Sequence, residues 1–175
     1  MCIRDSSLVR EISKRMAEQN KALGVHFNFS PSVDVNNNSK NPIIGNRSFG
    51  EDPNNVYSKA KAYIQGHKDV GIYTSIKHFP GHGDTDKDSH KTLPVISGNM
   101  KRLSNVELFP FKRLIDDGLA ESVMLAHLSV PAIDKNYPSS LSSKTVSKLL
   151  REKYNFSGIT AVSYTHLRAH ETRSD

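Results

Sequence analysis

The sequence predicts an α/β fold, a partial (β/α)8 TIM barrel made of a central slice of about four βα units. Three observations predict it. Helical and strand-like segments alternate strictly along the chain, which argues for βα units and a parallel sheet. The loops with unusual chemistry all follow strand-like segments, and that rim is where a (β/α)8 barrel carries its site. The chain has 175 residues, short of the roughly 250 of a closed barrel. A doubly wound open sheet is the alternative; no G-x-G-x-x-G follows the early strand to support it.

The first helix is expected over Leu8 to Leu23, where Leu8, Ile12, Met16 and Leu23 recur at helical spacing with Glu11, Lys14 and Glu18 between. Gly24 suits its end. Val25 to Phe29 alternates apolar and polar residues, as a short strand does. Ser30 to Asp52 is a long loop rich in Asn, Pro, Ser and Gly, a length often reserved for function. Asp52-Pro53 pairs an N-cap with Pro at the first helical position, opening a helix to about Lys68 with Val56, Ala60, Tyr63 and Ile64 inward. Gly71 to Phe79 is the second strand, ended by Pro80-Gly81-His82-Gly83. Ser104-Asn105-Val106-Glu107 has the capping-box pattern and should open a helix that stops at Gly118. Ser122 to Leu128 is the third strand, Ser143 starts the last helix, and Ile159 begins a fourth strand.

Composition narrows the classes. Net charge is +6, with 24 Lys and Arg against 18 Asp and Glu. The basic residues are scattered, with no long like-charge block and no aromatic-interleaved basic motif, so no nucleic-acid partner is expected. No apolar run approaches the roughly 18 residues of a membrane helix. One Cys excludes an internal disulfide framework. Oligomeric state and compartment leave no sequence signal. The ends stand apart. MCIRDS (residues 1–6) and VSYTHLRAHET (residues 162–172) back-translate to sequences resembling the two ends of a transposase library adapter. Residues 1–6 and 161–175 are therefore expected to be adapter-like, and residues 7–160 to be the biological segment.

The chemistry concentrates in Lys77-His78-Phe79-Pro80-Gly81-His82-Gly83-Asp84-Thr85 with Asp88-Ser89-His90. An imidazole titrates near operating pH and suits general acid/base work. A carboxylate on one ring nitrogen fixes the tautomer and aims the other. This makes His90 the candidate acid/base and Asp88 its orienter. Surface placement of His90, or a metal site from His78, His82 and His90, are the alternatives; no HExxH or paired-Cys spacing favours a metal, and no cofactor is expected. Arg47 could hold ligand hydroxyls, or form an ion pair with Glu51 or Asp52. Lys77 could donate to a sugar hydroxyl, or pair with Asp84. His127 could be a satisfied rim histidine. Asp34, in Val33-Asp34-Val35, could be a site carboxylate or a turn-former bonding the backbone of Asn36 to Asn38; the turn is favoured.

Phe27-Asn28-Phe29-Ser30-Pro31 with Val33-Asp34-Val35, then Asn41-Pro42-Ile43-Ile44-Gly45-Asn46-Arg47-Ser48-Phe49-Gly50, resembles the N-terminal domain of glycoside hydrolase family 3. The Lys77–Thr85 stretch with Asp88-Ser89-His90 is similar to the family's bacterial β-N-acetylglucosaminidase branch. The resemblance covers nearly all of residues 7–160. It implies a (β/α)8 barrel that cleaves terminal β-linked N-acetylglucosamine with retention. It implies His90 as acid/base beside Asp88, and Arg47, Lys77 and His78 as sugar-binding residues. The family's nucleophile is an Asp just beyond Tyr154-Asn155-Phe156-Ser157-Gly158-Ile159-Thr160, where this sequence reads Ala161-Val162-Ser163-Tyr164. An upstream sugar-binding Asp also has no counterpart. The chain on its own is therefore expected to be inactive. A family 3 phosphorylase, a non-catalytic sugar-binding module and a metal-dependent enzyme are the rival functions.

Overall fold

The computed structural model describes residues 3–85 and 93–162. Helix α1 spans Ile3–Ala22, strand β1 Phe27–Asn28, helix α2 Pro53–Lys68 and strand β2 Tyr73–Phe79. Short helices α3 (Met100–Asn105) and α4 (Phe109–Asp116) precede strand β3, Ser122–Leu125. A π-helical segment, Lys144–Lys153, leads to strand β4, Ile159–Val162. The four strands form one sheet in the order β1-β2-β3-β4, and every pairing is parallel. Parallel neighbours in sequence order, joined by helical crossovers, give the slice of a (β/α)8 barrel that the alternation predicts.

The core lies between the sheet and its helices. Ile76, Phe79, Val123 and Leu125 of the strands meet Val56, Ala60 and Ile64 of α2, Leu108, Phe111 and Leu114 at α4, and Leu149 and Leu150. Asp52 accepts from the Asn55 N–H at 2.7 Å, with Pro53 opening α2 as expected; such a cap is worth about 1 kcal/mol.

Three expectations are corrected. First, α1 begins at Ile3, ahead of the expected Leu8, and its helically spaced Leu8, Ile12 and Met16 are 41–57% exposed. Ser13 and Ala17, fully buried, face α2 instead. The reason is close approach: a Cβ added to Gly66 of α2 would lie 2.4 Å from the Arg10 carbonyl oxygen, so only small residues fit the crossing. Second, the Ser104–Glu107 capping box is not used. A helix already begins at Met100, with the Asn99 side chain accepting from Arg102 N–H, and α4 begins at Phe109. Glu107 is instead buried, accepting from Asn37 and Arg102. Third, the strands are shorter than expected: β1 holds two residues of the five, and β3 stops at Leu125. At β4, the ladder runs to Val162, opposite Leu125.

Candidate active site

The site grows from the C-terminal end of β2. The chain after β1 keeps running alongside β2: Ser75 N–H bonds Ser30 O, Lys77 N–H bonds Pro31 O, and Val33 N–H bonds Lys77 O. This extension carries Asp34 to His78. Asp34 is wholly buried between the buried Val33 and Val35. Its carboxylate accepts from His78 Nδ1 and Ser32 Oγ at 2.8 and 2.7 Å. It also accepts from the His82 N–H at 2.7 Å and the His78 N–H at 3.2 Å. Burial alone would push this carboxyl up. The His78 imidazole and the hydrogen bonds from His78, Ser32 and His82 outweigh burial and hold it at about 2, below its usual 3.8. The expectation that Asp34 forms a turn with Asn36–Asn38 is overturned, because donors 44 and 48 residues away outcompete the local backbone for its oxygens.

With Nδ1 donating to Asp34, the Nε2 of His78 is turned outward. Arg47 Nη2 stands 3.5 Å from it. Arg47 is exposed, at the end of a 3-10 turn, Gly45–Arg47, and also donates to the Ile43 carbonyl oxygen. It does not pair with Glu51 or Asp52. Lys77 is half-buried beside them; burial first, then the Arg47 guanidinium, lower its pKa, and Asp34 opposes them. Asp84 pairs with Arg102 at 2.7 Å, not with Lys77. Arg47, Lys77 and His78 thus form one corner: two cations and an oriented imidazole, which can hold several adjacent hydroxyl or carbonyl oxygens. Arg47 also borders an open pocket of about 290 Å3, lined by Pro31, Phe49 and Tyr63 among others.

His82 lies behind this corner, its ring edge-on to His78 at 6.0 Å between centroids. It is buried, with Nδ1 on Thr85 Oγ1 at 2.8 Å; burial lowers its pKa. Gly81 and Gly83 let the turn sit this close. Gly81 has φ +123°, and a Cβ there would meet Glu107 Cβ at 2.8 Å; one on Gly83 would meet Val35 O at 1.8 Å. His127 follows β3 on the same rim and bonds Ser140 Oγ at 2.7 Å. Asp88 and His90 lie outside the described residues, His90 being also the third histidine of the metal alternative. Among the described residues no group of three His, Cys, Asp or Glu side chains is placed to hold a metal ion.

Sequence reasoning brought Arg47, Lys77 and His78 together, weighed Asp34 as a site carboxylate but favoured a turn, considered His82 only as a metal ligand, and missed Asn41; these last three shape the site. The available signal was a charged residue between two valines, a pattern that suits burial as well as a turn.

A sequence model described as the glycosyl hydrolase family 3 N terminal domain matches residues 3–173. The beta-hexosaminidase of Nitrosomonas eutropha is 38% identical over 151 residues, 86% of this chain and 42% of that protein. Among solved structures, a glycoside hydrolase family 3 beta-N-acetylglucosaminidase from Paenibacillus sp. is 36% identical with a TM-score of 0.91. The match covers 97% of this chain and 32% of that one. The beta-glucoside phosphorylase BglX, bound to 2FGlc, is 30% identical with a TM-score of 0.88, over 92% of this chain and 30% of that one. The chain spans between a quarter and a half of the length of the curated relatives it matches first.

Proposed function

The chain belongs to the glycosyl hydrolase family 3 N-terminal domain family, and from that premise we propose that it supplies the sugar-holding half of a retaining β-N-acetylhexosaminidase acting on terminal β-linked N-acetylglucosamine in cell-wall or glycan fragments. The observation that carries the proposal is the Asp34–His78 pair, 2.8 Å apart, with Arg47 3.5 Å from the outward ring nitrogen. Asp34 fixes the imidazole, so the ring reaches a bound sugar without a rotational search. Arg47 and Lys77 donate to neighbouring hydroxyls, where bonds that tighten in the transition state contribute most.

In this reading His90 protonates the glycosidic oxygen, Asp88 orients its ring, and His90 then takes a proton from the attacking water. The carboxylate nucleophile comes from the full-length protein, beyond residues 7–160. The relatives named beta-hexosaminidase support the hydrolytic activity and the sugar.

The likeness to a beta-glucoside phosphorylase favours a second reading, transfer to phosphate. The test is product analysis with the full-length gene product, using 4-nitrophenyl β-N-acetylglucosaminide and the matching β-glucoside, with and without phosphate. The expected result is free N-acetylglucosamine, first released as the β-anomer, at a rate independent of phosphate. A phosphate-dependent rate with a sugar 1-phosphate as product supports phosphorolysis. Binding without turnover supports a sugar-binding module.

A further inference from the structure

Asn41 stands in the long loop between β1 and α2 and is not among the residues proposed above to touch substrate. It is 6% exposed, and both ends of its amide are used. Oδ1 accepts from the Ile43 and Ile44 N–H groups, at 2.9 Å each. Those bonds shape the turn that delivers Arg47, since Arg47 N–H in turn bonds Ile44 O at 2.8 Å. Nδ2 donates to the carbonyl oxygens of His82 at 2.8 Å and Gly83 at 3.1 Å, and reaches Thr85 Oγ1 at 3.4 Å.

The turn it holds by that second end is tied to the rest of the site. Its His82 N–H donates to Asp34, the carboxylate that orients His78. Its Thr85 hydroxyl donates to His82 O at 3.2 Å and accepts from His82 Nδ1. In the sequence Thr85 is followed, three and five residues later, by Asp88 and His90. A primary amide suits this place because it carries two donors and a two-lone-pair acceptor in one plane. An Asp offers only acceptors, and an apolar residue offers neither.

We propose that Asn41 is a positioning residue whose single side-chain amide locks the Arg47 turn to the His82–Thr85 turn, so that sugar grip and proton transfer act on the same bound substrate. The proposal rests on the roles given above to Arg47, Asp88 and His90. It separates the two arms chemically. Asn41→Asp keeps an oxygen for Ile43 and Ile44 but sets a carboxylate against the His82 and Gly83 carbonyls. Asn41→Ala removes both arms.

The test is steady-state kinetics of the full-length enzyme on two substrates. One is an N-acetylglucosamine disaccharide, whose poor leaving group needs an acid. The other is 4-nitrophenyl β-N-acetylglucosaminide, whose leaving group barely does. For Asn41→Asp, kcat/KM on the disaccharide should fall about 10- to 100-fold, a partial loss of the roughly 10²- to 10⁴-fold that general acid catalysis contributes. On the nitrophenyl glycoside kcat/KM, which reports the first step alone, should stay within about threefold. Asn41→Ala should add a rise in KM on both substrates. Thr85→Val should show the same leaving-group split and Thr85→Ser should restore it; these two decide the matter if Asn41→Asp fails to fold by circular dichroism. Equal losses on both substrates in Asn41→Asp and Thr85→Val, or no loss, would overturn the proposal. His90→Ala is measured alongside. If it splits the substrates while the Asn41 and Thr85 variants do not, only the role of Asn41 falls. If it does not split them, the acid/base reading falls and takes this role with it.

Discussion

Asp34 carries a large electrostatic consequence for a single residue. Its carboxyl sits at about 2 in the folded chain against 3.8 when free. Between those values the unfolded chain binds the extra proton, so stability falls as pH falls. The contribution is fully present above pH 3.8 and is lost as pH drops through about 2. Converted at 1.36 kcal/mol per unit, it is about 2 kcal/mol. Urea melts at pH 5 and pH 2 should show that difference, and Asp34→Asn should remove most of it; an unchanged slope in the variant would assign the acid sensitivity elsewhere. Arg47 makes a prediction of another kind. Loss of a charged donor to a sugar hydroxyl costs about 1.5–3 kcal/mol. Arg47→Ala should therefore lower kcat/KM of the full-length enzyme by about 10- to 100-fold. The residues with distinctive chemistry were legible from local motifs, as Arg47, Lys77 and His78 were. Asp34, His82 and Asn41 were not, because their partners lie about 40 residues away and a buried acceptor has the same local pattern as a turn-former.

At the scale of elements, the contact of α1 with α2 turns on small residues and one buried network. Ser13 Oγ donates to the Tyr63 carbonyl oxygen and contacts His67 Nδ1 at 2.7 Å, while Asn28 Nδ2 meets His67 Nε2 at 2.9 Å. Ser13 thus accepts the Nδ1 proton, Asn28 donates to Nε2, and the ring is neutral. Burial lowers the His67 pKa below its usual 6.5. Here the unfolded state binds the proton first. The stabilisation is full above pH 6.5 and is lost as pH falls through the folded value. The protection factors of α1 amides, corrected for the intrinsic pH dependence of exchange, should fall on acidification, and His67→Gln should flatten that response. Gly66→Ala gains about 1 kcal/mol of helix propensity, but its Cβ would stand 2.4 Å from a backbone oxygen. Overpacking of about 1–3 kcal/mol should win, measured as a lower denaturation midpoint. Helix existence was legible here; the inward face of α1 was not. Large apolar side chains mark a face only when the partner helix leaves room for them, and Gly66 leaves room for Ser13 and Ala17 alone. The unused box at Ser104 has a similar cause, since Asn99 caps an earlier start and Glu107 is drawn inward by Arg102 and Asn37.

For the whole molecule, the sheet order β1-β2-β3-β4 sets all strand C-terminal ends on one rim. That rim carries Asp34, Lys77, His78 and His127, which is why residues far apart in sequence meet. This level was the most legible, because strict alternation of periodicities admits few parallel topologies. The proposed function requires that the His90 imidazole move the proton of glycoside cleavage. It is tested most directly by the pH–rate profile of the full-length enzyme and its His90→Ala variant on an N-acetylglucosamine disaccharide. The account predicts a fall in kcat/KM of about 10²- to 10⁴-fold with loss of the basic limb of the profile. Unchanged turnover and an unchanged profile in His90→Ala would contradict it.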